Sequence, residues 1–338
     1  MRRHYELLRA TSRTFAVGIE ALPGRLRDAV TLAYLVLRVA DYFEDSPTLP
    51  PALKTEALER WARLVSGGAG ESDADGAARL GEAVSPADTA LPDHRAALEA
   101  RSILEALARL TPAFREPIGR HTAATTRGMV RWVERGDDFP DETALDDYMF
   151  EVAGRVGLLL TDLFSAYSRR VRGRRESLLE TAVSFGLGLQ TVNVIRGLHE
   201  DPRRGWTYVP RHVLCSDGRD RGPLPDLRTL DGNRQLRVLD FLVAKAGGHI
   251  SDALTYCAEI PRRERGIRIF CAIPALLALR TAELSRGNVA VFTRPVKVSR
   301  REVQRLVLRS RLLYVSNLRL RRARNRAGRL CAAEAASP

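Results

Sequence analysis

Apolar residues recur at helical spacing along almost the whole chain, and no segment carries a convincing run of strands. The cleanest run covers 24–45. Pro23 and Gly24 mark its approach, and an acidic stretch followed by Pro47, Pro50 and Pro51 marks its end. A short helix or turn is predicted over 4–16 and a helix over 52–66. Further helices are expected at about 94–109, 113–135, 143–169, 174–198, 232–258, 262–286 and 299–323. Between them, 67–93 is rich in Gly, Ala, Ser and Asp and reads as a mobile surface loop. Segment 199–231 reads as an irregular linker. The expectation is an all-α protein: one large helical bundle over 1–310, then a basic C-terminal helix and tail over 311–338. No repeat of 20–50 residues is visible.

Composition supports this picture. Of 338 residues, 45% are hydrophobic and only 6% aromatic, which favours helix over strand. The net charge of +13 suits an anionic partner: nucleic acid, an acidic membrane surface or a phosphorylated substrate. The arginine clusters at 169–175, 262–268 and 318–329 are not interleaved with aromatics, and no helix-turn-helix signature stands out, so nucleic acid is not expected. Cys215, Cys257, Cys271 and Cys331 form no CxxC and no close pair with His, which fits a reducing cytoplasm. The N-terminus lacks the apolar core of a signal peptide, and no transmembrane helix is expected. Membrane contact is expected to be peripheral, on the inner face, through Arg319–Arg329.

Two segments concentrate polar chemistry. In YLVLRVADYFED, Tyr34, Arg38, Asp41 and Asp45 follow one another at i, i+4, i+7 and i+11, on one helix face. Their neighbours are apolar, so the carboxylates need a partner. Mg²⁺ is a natural one, because it prefers carboxylate oxygens and keeps positions for water and phosphate. Glu44 lies off this face. In QTVNVIRGLHED, Gln190, Asn193, Gly197 and Asp201 are expected to share a face, with Arg196 beside it able to meet a phosphate bidentately. A third segment, YMFEVAGRVGLLLTDLF, puts Tyr148 and Glu151 on one face, and its Gly154 and Gly157 permit close helix contact.

Together these segments resemble the squalene/phytoene synthase family of head-to-head prenyltransferases, its squalene synthase branch in particular. SRTF (Ser12–Phe15) is similar to an N-terminal motif near the diphosphates. The two acidic segments are similar to the family's two aspartate-rich motifs, and YMFEVAGRVG to its central one. FCAIPALLALRTAEL and PVKVSR extend the match to about residue 305. The resemblance implies an isoprenoid synthase fold around a central cavity, with the aspartate-rich helices facing each other across it. It implies two farnesyl diphosphates, or similar prenyl diphosphates, joined through presqualene diphosphate. Mg²⁺ would be the cofactor and NADPH the reductant of the second half-reaction.

The roles it carries over are these. Asp41, Asp45, Glu200 and Asp201 would hold metal. Ser12, Arg13, Arg38 and Arg196 would bind diphosphate. Tyr148 would assist proton removal, and Tyr34 would support the diphosphate site. Phe15, Val152, Gly154, Leu187, Gln190, Asn193, Phe270, Cys271 and Pro274 would line the substrate pocket.

The chain departs from the family pattern twice. Gly197 stands at an aspartate position of the second motif, and Trp206 at an arginine position, with Arg203 and Arg204 close by. Three readings stay open: a squalene synthase working with fewer ligands, an enzyme of one half-reaction or of a different coupling or cyclisation, and a non-catalytic binder of prenyl diphosphate.

Overall fold

The computed structural model describes residues 1–67, 73–136, 138–204, 206–215, 222–313 and 316–331, and among these there is no strand. The chain runs α1 (Arg2–Thr11), α2 (Arg13–Ile19), α3 (Gly24–Asp45), α4 (Pro51–Val65), α5 (Asp73–Glu82), α6 (His94–Leu98), α7 (Ala100–Ala108), α8 (Pro112–Arg135) and α9 (Glu142–Met149). After one π-helical turn (Phe150–Gly154) come α10 (Arg155–Tyr167), α11 (Arg169–Arg172), α12 (Arg175–Gly197), α13 (Arg211–Leu214), α14 (Gly232–Glu259), α15 (Arg265–Ser285), α16 (Arg300–Leu313) and α17 (Asn317–Cys331).

The chain divides into two compact units. The first comprises Met1–Gly136 and Leu158–Arg175, the second Asp137–Gly157 and Glu176–Pro338. In the first, α3 is the central element, packed by α1, α4, α6, α7 and α8. Its Leu26, Leu32, Leu35, Val36, Val39 and Phe43 are buried, so the apolar face read from the sequence is the core. Trp61 of α4 donates its indole N–H to the Val36 carbonyl at 3.0 Å. In the second unit α14 is central, flanked by α13, α15 and α17.

Two expectations are corrected. The segment 67–93 is not a loop throughout. Residues 68–72 lie outside the described residues, but α5 and a 3-10 turn at Pro86–Asp88 follow. Ala77, Leu80 and Val84 are buried, an amphipathic pattern thinned by the surrounding small residues. The helix expected over 299–323 is two, α16 and α17. The expected C-terminal helix, α17, is docked: Leu320, Ala323, Ala327 and Leu330 are buried, and Gly247 of α14 leaves no room for a Cβ, which would meet Leu330 Cβ at 2.8 Å. The buried Arg268 of α15 ties the start of α17, donating to Asn317 Oδ1 at 2.6 Å and to the Ile260 carbonyl at 2.8 Å. Among the described residues one helix, α12, is long and apolar enough to cross a membrane by length and composition. Its buried Leu178, Ala182, Phe185, Leu187, Val192 and Ile195 make it a core helix here.

Candidate functional site

The first cluster grows from the polar row of α3. The Arg38 guanidinium is ion-paired with Asp41, and its other arm reaches Asp93 Oδ2 at 3.4 Å. It also lies over the Tyr34 ring, 5.2 Å from the centroid. Tyr34 in turn meets Phe15, with ring centroids 5.7 Å apart. The structure therefore gathers Tyr34, Arg38 and Asp41, as the spacing predicts, with Phe15 against Tyr34. It adds Asp93, which sequence reasoning missed. Asp93 stands at the N-cap position of α6 yet caps no N–H, and turns to Arg38 instead. Ser12 caps α2, accepting from the Phe15 N–H at 3.3 Å. The side chain of Arg13 lies outside the described residues.

Burial sets the electrostatics of this cluster. It pushes the Asp41 carboxyl up to about 7, against the pull of Arg38 and reinforced by Asp93 and Asp45. It raises Asp93 too, again opposed by Arg38. Glu44 is buried as well, and burial, then Asp45 and Asp41, drive its carboxyl well above the ordinary range. Glu44 Oε1 and Asp93 Oδ1 are buried without a hydrogen-bond partner. Tyr34 is raised chiefly by burial. Asp45 is exposed at the end of the row. The last turn of α3 is clamped from outside: Asp88 accepts from the hydroxyls of Ser46 at 2.6 Å, Thr48 at 3.0 Å and Tyr42 at 3.1 Å, and Lys54 donates to the Glu44 carbonyl at 2.8 Å. This clamp fixes an acidic helix end that the helix dipole disfavours.

The second cluster, in the other unit, forms around Tyr148. Its buried ring stacks on Tyr208 (5.3 Å, 22°) and Trp206 (6.2 Å, 25°), which are themselves parallel (5.5 Å, 8°). Phe139 closes the group at 5.7 Å. The Tyr148 hydroxyl donates to Tyr208 Oη at 3.4 Å. Just beyond, the π-turn holds Val152 and Gly154, and Glu151 clasps Arg155 through two hydrogen bonds of 2.6 and 2.9 Å. Such turns accompany functional sites. The expected close contact is present: a Cβ on Gly157 would lie 2.6 Å from the Ala182 carbonyl carbon, and one on Gly186 2.6 Å from that of Ala153. Along α12, Leu187 is buried, Gln190 is half-buried and accepts from the Asn193 amide at 3.4 Å, and Arg196 is exposed. On α15, Phe270 and Cys271 are buried and Pro274 sits inside the helix.

The helix stops at Gly197, so Asp201 meets the α12 row not as a further helical turn but from the 3-10 turn that follows it. The Glu200 N–H closes the turn onto the Gly197 carbonyl at 2.7 Å, and His199 Nδ1 lies 3.0 Å from the Arg196 carbonyl. Glu200 is exposed, and Asp201 begins a 3-10 turn that folds back over Gly197. The side chains of Arg203 and Arg204 lie outside the described residues.

Among the described residues no three His, Cys, Asp or Glu side chains cage an ion by themselves. Mg²⁺ needs no such cage, since it takes one or two carboxylates and fills its octahedron with water and phosphate oxygens. The buried acidic oxygens around Arg38 fit it.

The squalene/phytoene synthase family pattern matches residues 8–302. The squalene synthase of Schizosaccharomyces pombe is 32% identical over 96% of this chain and 68% of its own length. That of Homo sapiens is 30% identical over 90% and 68%. Among solved structures, TcSQS bound to BPH1237 superposes with a TM-score of 0.75 at 24% identity, covering 98% of both chains. A dehydrosqualene synthase superposes at 0.61 and 17% identity, covering 91% of this chain and 94% of that one. These likenesses establish the isoprenoid synthase fold.

Proposed function

Since the chain belongs to the squalene/phytoene synthase family and is a prenyltransferase of the head-to-head class, we propose that it couples two farnesyl diphosphates through presqualene diphosphate to squalene or a related C30 isoprenoid. The observation that carries this reading is the Tyr34–Arg38–Asp41 row with Asp93, a half-buried, charge-dense cluster.

Bound at Asp41 and Asp45, Mg²⁺ would supply the positive charge that makes diphosphate a competent leaving group. Arg38, held against Tyr34, would exchange its two carboxylate partners, Asp41 and Asp93, for phosphate oxygens, to which its planar fork is matched. Arg196, exposed at the end of α12, offers a second such fork. The stacked faces of Tyr148, Tyr208 and Trp206 suit a carbocation, which is attracted to aromatic quadrupoles and must be kept from water. The Tyr148 hydroxyl, hydrogen-bonded to Tyr208, would help move a proton. NADPH is proposed only as reductant of the second half-reaction. Peripheral contact with an acidic membrane surface, through α17, is part of the same proposal.

The second reading, a single half-reaction or a different coupling or cyclisation, is favoured by Gly197 and Trp206. One experiment separates them: purified protein with farnesyl diphosphate and Mg²⁺, with and without NADPH, followed by product extraction. Squalene with NADPH and presqualene diphosphate without it support the first reading. Presqualene diphosphate under both conditions, or a cyclised or hydroxylated product, supports the second. Unchanged substrate overturns both.

A further inference from the structure

We infer that Asp201 supplies, by folding back over Gly197, the carboxylate that position 197 itself lacks. Gly197 ends α12 on the face that carries Gln190 and Asn193, so a side chain there would extend that polar row by one more turn. Instead the chain reverses through 198–200 and returns Asp201 onto the glycine. A Cβ built on Gly197 would lie 2.7 Å from Asp201 Cγ and closer still to Oδ2. The Asp201 carboxylate thus occupies the volume that a side chain at 197 would fill. Only glycine leaves that volume open.

The arrangement is anchored at a second point. The Trp206 N–H donates to the Asp201 carbonyl at 3.1 Å, and the Trp206 ring is locked parallel to Tyr208 in the stack that includes Tyr148. Gly197 thus makes room for the Asp201 carboxylate, and the backbone at 206 holds the Asp201 carbonyl. Beside it, the Asn193 amide nitrogen is turned to Gln190, which leaves Asn193 Oδ1 as a further oxygen on the same face. The ligand chemistry is that of a hard divalent cation bridging carboxylate to diphosphate.

This inference rests on the Mg²⁺–diphosphate reading proposed above, and a carboxylate exchange tests it separately. Mg²⁺ binding is measured by calorimetry in the presence of inorganic pyrophosphate, with circular dichroism melts as a check of fold. The expectation is that Gly197→Ala, which evicts the carboxylate, and Asp201→Asn, which neutralises it, each weaken Mg²⁺ binding about tenfold or more, the usual size of a lost ligand or ligand support. The double variant Gly197→Asp/Asp201→Asn, which returns a carboxylate to the same place from the helix, is expected to recover to within about threefold of the wild type on the same scale. Unchanged affinity in Gly197→Ala, or a folded double variant no better than Asp201→Asn alone, overturns the inference while leaving the Mg²⁺ reading intact. A wild-type protein that binds no Mg²⁺ with pyrophosphate overturns both.

Discussion

Asp41 is half-buried among carboxylates with one arginine to answer them, an arrangement that opposes folding and persists only where another demand maintains it. Asp41→Ala or Asp45→Ala is therefore expected to lower turnover of farnesyl diphosphate on the order of 100-fold or more, the size of a lost transition-state charge contact. The unfolding midpoint should be undiminished in Asp41→Ala. Retention of most activity in a steady-state assay would remove both residues from the site. Asp162 provides the contrast of a carboxylate that serves stability. Burial raises it, but hydrogen bonds from His121 at 2.9 Å and from Arg175 at 2.8 Å outweigh burial, and its carboxyl is held down at about 2. A group held below its unfolded value of about 3.9 adds stability above that pH and loses it as pH falls toward 2. Asp162→Ala should cost about 1–3 kcal/mol at pH 6, the usual range for charge-assisted hydrogen bonds, and the difference from wild type should vanish near pH 2. Urea titrations across that range read it directly; a gap that persists near pH 2 would show that packing, not charge, makes the difference. The polar row of α3 was legible because helical spacing alone puts those residues on one face. Asp93 was not, because its partner lies 55 residues away and nothing local marks the pairing.

At the scale of elements, α3 and α12 were readable to within a residue or two, since long periodic runs bounded by Pro, Gly or charge leave little freedom. Two features were not. The π-turn at Phe150–Gly154 sits inside a pattern that reads as continuous helix, and only the backbone contact between α10 and α12 explains the local sequence. That contact is itself testable. A Cβ at Gly157 or Gly186 would drive into a carbonyl of the facing element, with neither a flexible side chain to yield nor a gap to fill. Gly157→Ala and Gly186→Ala are each expected to lose about 3 kcal/mol or more, at the severe end of single substitutions. Gly24→Ala, with no atom within 4 Å of its added carbon, should cost less than 1 kcal/mol. Thermal melts of the three variants decide it, and similar losses in all three would remove the close-packing account. The second unread feature, α5, was hidden by Gly, Ala and Asp. With it went Asp88, the acid that clamps the end of α3.

At the scale of the molecule, the question is where the charge of +13 acts. Helix α17 concentrates six arginines, at 319, 321, 322, 324, 326 and 329, with no acidic residue. From sequence alone it reads as a basic region for peripheral contact with an acidic membrane. Its apolar side is not available to that contact, because Leu320, Ala323, Ala327 and Leu330 are already spent against α14. Arg326 is also committed, to Glu283 at 2.7 Å. What remains outward is a face of exposed arginines with almost no apolar component, Leu318 excepted. Such a face binds an acidic bilayer by Coulomb attraction alone, at about 1 kcal/mol per arginine near the surface, and within a Debye length that shrinks from about 10 Å at 0.1 M salt to about 3 Å at 1 M. The protein is therefore expected to co-sediment with phosphatidylglycerol vesicles at low salt, to be released by about 0.5 M NaCl, and to ignore phosphatidylcholine. Arg321→Glu/Arg322→Glu should abolish the low-salt binding without shifting the melting midpoint, since both side chains face solvent. Binding that survives high salt would mean that apolar surface reaches the bilayer, which requires α17 to leave α14. Leu330→Asp, which weakens that docking, would then increase binding rather than leave it unchanged.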